Sequence, residues 1–272
     1  MPWPTWEQAV VAAALSLLLG LALRRRPSRL TAYVEPAAAE FALVAGLYAV
    51  WRLARMLPIA STDGALRRAH EIASLEQALH LPAELSLQLF VLRHDRLVDL
   101  SAWYYASLHV PALIAFLVWL FYRHRDHYPH WRNALALVTA GCLVIRFVRV
   151  APPRFLGELG YVDLTHFSGP SVYSADPTTG VSDQFAAMPS IHVAWAAVVS
   201  LGIVAASTSH WRWVFLLHVV LTMLVVAATG NHWWLDGVVA LALLWVALAL
   251  DTAVRTRLRS ADRPVSGPEL RP

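Results

Sequence analysis

The stretch that decides the fold runs WVFLLHVVLTMLVVAATGNHWWLDGVVALALLWVALAL, from Trp213 to Leu250. Two apolar runs, Trp213–Thr229 and His232–Leu250, are separated only by Gly230-Asn231. Each is close to the roughly 20 residues a helix needs to cross about 30 Å of hydrocarbon. The second run opens with His232 and Asp236, which at i and i+4 share one helix face. An ionisable group at the centre of a membrane helix costs about 2.5–3.5 kcal/mol. A His–Asp pair at the mouth of such a helix therefore asks for a functional reason. Met188-Pro189-Ser190-Ile191-His192 opens another apolar run and supplies a second histidine.

The rest of the chain has the same character. Of its 272 residues, 58% are hydrophobic and 15% are charged, and the mean hydropathy is +0.51. Soluble domains carry roughly 25% charged residues. The composition implies an all-α, multipass membrane helical bundle. There is no lysine, so all 22 basic residues are arginine, and the formal net charge is +4. Arginines at cytoplasmic helix ends and at an anion site account for that excess without a nucleic-acid partner. The one cysteine, Cys142, lies inside an apolar run, forms no intramolecular disulfide and reads as packing.

Seven apolar segments qualify as spans: Ala9–Leu23, Ala37–Leu57, Leu100–Tyr122, Asn133–Val150, Pro189–Ser207, Trp213–Thr229 and His232–Leu250. Arg24, Arg25, Arg26 and Arg29 follow the first span, whereas a signal peptide carries its positive charge before the apolar run. The first span is therefore expected to be retained. Ser61–Asp99 is too polar to span. Leu66, Ile72, Leu75, Leu79 and Leu81 alternate there with Arg67, Arg68, Glu71 and Glu76, which predicts amphipathic helices in the interface. The tail from Arg255 is rich in Arg, Pro and Ser and is expected to be disordered. No internal repeat is evident.

With seven spans, the loops holding Arg24–Arg29, Arg123–Arg132 and Arg212 lie on one side with the arginines of the tail. The positive-inside rule makes that side cytoplasmic. The junctions 58–99, 151–188 and 230–231 then face outward, with both histidine motifs. Arg67, Arg68, Arg93 and Arg96 also fall outside, on the segment expected at the membrane surface.

Three clusters meet on that outer face. In Arg146-Phe147-Val148-Arg149-Val150-Ala151-Pro152-Pro153-Arg154, the arginines offer planar donors suited to phosphate. Interfacial snorkelling is the competing account of Arg146 and Arg149. In the second cluster, Pro189 suits a first helical turn, which leaves an exposed helix N-terminus as an anion site. Ser190 adds a hydroxyl donor, and His192 is placed to act as general acid. A helix cap with a packed histidine is the plainer alternative. In the third, Asp236 accepts a proton from one ring nitrogen of His232 and leaves the other nucleophilic. Trp233-Trp234 forms an interfacial belt in either case. These parts suit phosphoryl transfer through a phosphohistidine, where positioning and cationic donors do most of the work. No carboxylate cluster is present for magnesium, so neither metal nor other cofactor is expected.

The three clusters resemble the type 2 phosphatidic acid phosphatase superfamily of membrane lipid phosphatases, over about Leu100 to Leu250. The resemblance implies a six-helix core formed by the second to seventh spans, with the first as an addition. It implies His232 as nucleophile, Asp236 as its orienting partner, His192 as the acid–base group, and Ser190 and Arg154 as phosphate ligands. Arg146, Arg149 and Asn231 complete the expected phosphate contacts. The chain would then divide into 1–36, an N-terminal helix with its Arg-rich loop, 37–251, a phosphatase-type membrane domain, and 252–272, a cytoplasmic tail. Three departures stand out. Arginines occupy the region where the first motif usually pairs a lysine with an arginine, Ile191 stands where glycine usually precedes the histidine, and Val226 stands where an arginine usually lies six residues before the nucleophile. With Ala151-Pro152-Pro153-Arg154, Tyr161-Val162-Asp163 and Gly230-Asn231-His232, they look more like the inositol-phosphorylceramide-synthase-like branch, which includes phosphotransferases.

The expected activity is that of a metal-independent membrane enzyme acting on a phosphorylated lipid at the extracytoplasmic face of the cell membrane. Head-group transfer to a lipid acceptor is the alternative, and non-catalytic binding or transport of lipid phosphates is a third. Membrane lipids are the other expected partners, and the sequence carries no signal for an oligomeric state. Pro152–Met188, with Asp163, His166, Ser168-Gly169-Pro170 and Tyr173, is expected to cover the site. His124, His127 and His130 read as part of an interfacial belt rather than as metal ligands.

Overall fold

The computed structural model describes residues 4–25, 28–56, 64–164 and 185–261. Every helix and turn of helix among them belongs to one of two compact units, 1–61 and 62–272. In the first unit, α1 (Trp6–Arg24) pairs with α2 (Thr31–Met56). Thr5 caps α1 by a capping box with Gln8. The hairpin is tied by the Arg24–Glu35 ion pair and by Ser16 Oγ donating to the Ala38 carbonyl at 2.9 Å. The expected boundary at residue 36 falls inside α2. The connection from Arg24 to Thr31 is so short that the two helices pack on each other, and the compact unit ends at Ser61.

The second unit holds α3 (Ala65–Ala78), α4 (Glu84–Leu92), α5 (Asp95–Ser107), α6 (His109–Arg123), α7 (Tyr128–Ile145), α8 (Ile191–Ala206), α9 (Leu216–Ala228) and α10 (Trp234–Ala261). The hub is α8, which touches α6, α7, α9 and α10. Val193, Ala194, Ala197 and Val198 are buried on it, so it is apolar on nearly every side, as a largely enclosed helix should be. Gly202 allows the closest approach: a Cβ there would lie 2.2 Å from Phe116 Cζ. Leu120, Trp131, Val138, Val226 and Leu244 close the core around it.

Among the described residues, four helices are long and apolar enough to cross a membrane, or five if the bent pair α5–α6 forms one span. Seven were expected. The segment at 191–206 is apolar but has 16 residues, about 24 Å of helix against about 30 Å of hydrocarbon. Being enclosed by its neighbours, it has no need to match the bilayer. The expected span Asn133–Val150 begins five residues earlier, at Tyr128, and stops at Ile145. Its first turn thereby takes in polar residues, and Arg149 lies beyond the helix. The last helix runs past Leu250 to Ala261, so the first part of the segment expected as a disordered tail is helical. Residues 262–272 lie outside the described residues.

Ser61–Asp99 also differs from the expectation. It contains α3, which is amphipathic, and α4, which is mostly apolar, and α5 already starts at Asp95. Glu76, Glu84 and Gln88 are buried rather than presented to water, because each bonds to backbone near the start of α10 or the turn before it.

Candidate active site

The site is organised by the turn between α9 and α10. Thr229 ends α9, and Gly230 takes φ +68°, a conformation that favours glycine. The tight turn lets the Val226 carbonyl accept from both Asn231 N and His232 N at 3.1 Å. His232 is thereby held just ahead of α10 and is 5% exposed. Its Nδ1 lies 2.7 Å from the Ala187 carbonyl and 3.2 Å from Asp236 Oδ2. A carbonyl only accepts, so Nδ1 carries a proton. The expected His232–Asp236 contact is present, with a second orienting acceptor that the sequence did not reveal. Asp236 is fully buried, and its Oδ2 also accepts from Trp233 N at 2.9 Å. Asp236 thus caps α10 as well as touching the histidine.

Ser190 is the N-cap of α8 and is fully buried, its Oγ accepting from Val193 N at 3.4 Å. Its own N–H donates to the Asp236 carbonyl at 3.1 Å, which joins the starts of α8 and α10. His192 follows in the first turn of α8, its ring centroid 5.8 Å from that of His232. The second and third sequence clusters therefore meet.

Arg154 joins them from a 3-10 turn, Pro153–Phe155. It is buried; its N–H donates to the Gly230 carbonyl at 2.9 Å, and Nη1 donates to Asn231 Oδ1. Its Nε is 3.4 Å from Asp163 Oδ2. Asn231, also buried, donates from Nδ2 to Thr229 Oγ1 at 2.8 Å. Arg146, the C-cap of α7, and Arg149 beyond it are 7% and 3% exposed, far too buried for snorkelling side chains. Arg149 is followed by Val150, which forms a parallel bridge with Ala186 next to the Ala187 acceptor. The segment 150–151 is fixed further by Trp233 Nε1 donating to the Ala151 carbonyl at 3.0 Å. The middle of the expected covering loop, with His166, Ser168-Gly169-Pro170 and Tyr173, lies outside the described residues.

This arrangement accompanies a family match. The PAP2 superfamily profile fits residues 70–250, from within α3 to within α10. The chain belongs to the PAP2 superfamily. No curated protein and no solved structure matches it. Among PAP2 proteins this one carries Val226 ahead of its histidine turn, and the side chain is buried in the apolar core. An arginine would not fit there without a buried charge.

Three polar residues that support the candidate site were missed in the sequence, because they lie 74 to 159 residues from their partners. Gln88 donates to the Val162 and Ala228 carbonyls at 3.0 and 3.2 Å and accepts from Val162 N. Glu84 Oε1 accepts from Trp234 N at 3.2 Å, and Glu76 Oε1 from Leu235 N at 2.8 Å. With Asp236, the two glutamates satisfy three of the first N–H groups of α10. The i,i+4 spacing of Glu84 and Gln88 on an otherwise apolar helix was the available signal.

Burial and a hydrogen bond donated to Glu84 push the Glu76 carboxyl up from its ordinary 4.5 to about 9. The unfolded chain releases this proton above pH 4.5, and the folded protein keeps it up to about 9. The group's stability contribution is therefore full below pH 4.5 and declines as pH rises to about 9. Glu76→Gln keeps an acceptor for Leu235 and a donor for Glu84, so it removes the decline. At pH 8 it is expected to raise the melting temperature by about 2–4 °C, and by less at pH 5. Equal shifts in thermal scans at both pH values would refute the protonated pair.

Proposed function

We propose that this PAP2 protein is a phosphatase or phosphotransferase for a phosphorylated lipid and works through a phosphohistidine at His232. Family membership supports phosphatase-type chemistry on lipid phosphates, and the apolar helices support a membrane setting. The observation that carries the mechanism is the fixed Nδ1 proton of His232, which leaves Nε2 as nucleophile beside His192.

Nε2 attacks phosphorus, the ester P–O bond breaks, and His192 protonates the departing oxygen. Asp236 and the Ala187 carbonyl hold the Nδ1 proton as positive charge builds on the ring. In the second half, His192 takes the proton of an incoming hydroxyl, whose oxygen displaces His232 from phosphorus. Arg154, Arg149 and Arg146 neutralise the phosphoryl oxygens, aided by Asn231 and by the Ser190 hydroxyl at the positive end of α8. The extra buried arginines fill the role that Val226 leaves vacant. No step requires a metal.

The charge asymmetry of the loops supports an extracytoplasmic site in the cell membrane. The departures at Ile191 and Val226 support the inositol-phosphorylceramide-synthase-like branch, and with it transfer of the phosphoryl-linked head group to a lipid hydroxyl as the second reading. A panel of lipid phosphates, supplied with and without dioctanoylglycerol and resolved by mass spectrometry, tests both. Inorganic phosphate marks hydrolysis, and a new phospholipid marks transfer. Lipid binding without either product would leave the non-catalytic alternative.

A further inference from the structure

The span formed by α5 and α6 is broken, its halves meeting at Leu108 with a bend of 49°. Irregular backbone at membrane depth is tolerated where it is buried in protein or lines a polar space. Here the break brings His109, 4% exposed, edge-on to His192, with ring centroids 5.0 Å apart. Tyr105, one turn earlier, contacts the same ring at 4.4 Å. On from His109, the His218 ring of α9 lies 5.9 Å away. Nδ1 of His218 pairs with the Tyr104 hydroxyl at 2.8 Å, and that hydroxyl meets Thr222 Oγ1 at 3.0 Å.

Among the described residues, Nε2 of His218 has no hydrogen-bond partner, and the His109 ring has none beyond the Tyr105 backbone. Buried polar atoms are rarely left so, and intramembrane ionisable residues mark functional sites. The five side chains behind His192 bring no arginine and no carboxylate, so the layer suits a neutral guest rather than the phosphate. An imidazole nitrogen donates or accepts, and so does a hydroxyl.

We propose that His109 and His218, backed by Tyr104 and Thr222, form the subsite for the hydroxyl that leaves or attacks the phosphoryl group. The guest is a lipid alcohol or water. The inference rests on the acid–base role proposed for His192. In the first half-reaction, the ester oxygen takes the His192 proton as its bond to phosphorus breaks and the bond from Nε2 to phosphorus forms. In the second, the incoming hydroxyl returns a proton to His192 as oxygen displaces nitrogen from phosphorus. One acid–base group serves both halves, so both oxygens occupy the same place.

The test uses the full chain in detergent micelles and three reactions: hydrolysis of dioctanoyl phosphatidate, hydrolysis of p-nitrophenyl phosphate, and exchange of oxygen-18 from inorganic phosphate into water. His109→Phe keeps the ring volume and removes the nitrogens, whereas His109→Gln keeps a donor and an acceptor. His109→Phe is expected to lower kcat/KM for phosphatidate about tenfold or more. Nitrophenolate departs without a proton, so its ester should lose less than about threefold. His109→Gln should recover part of the loss. A loss confined to phosphatidate assigns the subsite to lipid alcohols, a loss confined to exchange assigns it to water, and a loss of both assigns it to either. His218→Phe, at a half-buried position, tests the same layer if His109→Phe does not fold. Phosphatidate and exchange at wild-type rates, an equal fall in nitrophenyl phosphate, or a Gln variant no better than Phe would each overturn the subsite. Continued phosphatidate hydrolysis by a folded His232→Ala protein would instead mark failure of the underlying mechanism.

Discussion

Replacing His232 with alanine is expected to lower lipid-phosphate turnover by about 10⁴-fold or more, because the nucleophile that forms the covalent intermediate is gone. The fold should survive the change. The turn is held by backbone bonds from Asn231 and His232 to the Val226 carbonyl, and these do not need the imidazole. Asp236 keeps its bond from Trp233 N. The variant should therefore reach the membrane, melt cooperatively and still bind lipid phosphate, while the acid-labile phosphoprotein trapped from labelled substrate disappears. Phosphate release at the wild-type rate by the variant would end the phosphohistidine mechanism.

Asp236→Asn is expected to cost about 10²–10³-fold in turnover, less than loss of the nucleophile. The asparagine carbonyl can still accept from Trp233 N, so the start of α10 stays capped. The Ala187 carbonyl, at 2.7 Å, still holds the Nδ1 proton and with it the tautomer. What the variant lacks is the negative charge that offsets the positive ring as the intermediate forms. The useful comparison sets turnover beside thermal stability. A large fall in turnover with a small shift in melting temperature fits the orienting role. Unchanged turnover would reduce Asp236 to a helix cap.

Much of the candidate site was legible in the chain because its parts are local. The i,i+4 spacing of His232 and Asp236, the proline and serine before His192, and the arginine-rich run ending at Arg154 each announce chemistry within about ten residues. Burial adds to that record at Arg146 and Arg149, since two side chains that sequence alone left between snorkelling and function are enclosed in the protein. The span count was less legible. Hydropathy treats a helix wrapped by other helices and one wrapped by lipid alike, so the short segment at 191–206 looked like a full crossing.

The supporting residues were out of reach for a different reason. Glu76, Glu84 and Gln88 sit in a stretch whose amphipathic rhythm predicted a surface, yet they bond to the start of α10 and the turn before it. The Ala187 carbonyl has no side-chain signature at all. His109 sits where a bent span turns a ring inward, and no spacing in the sequence encodes that bend.

By itself, the sequence determined that this is a helical membrane protein, that histidine and arginine chemistry gathers at the ends of its apolar runs, and which histidine has a carboxylate one turn away. Periodicity, composition and local spacing carry that information. Only the tertiary structure decided that His232 and His192 face one another, that Ala187 fixes the tautomer, and that His109 and His218 extend the polar layer behind them. Those contacts join residues tens to more than a hundred positions apart. They form only when the enclosed α8 draws the surrounding helices together and burial obliges their polar groups to find partners.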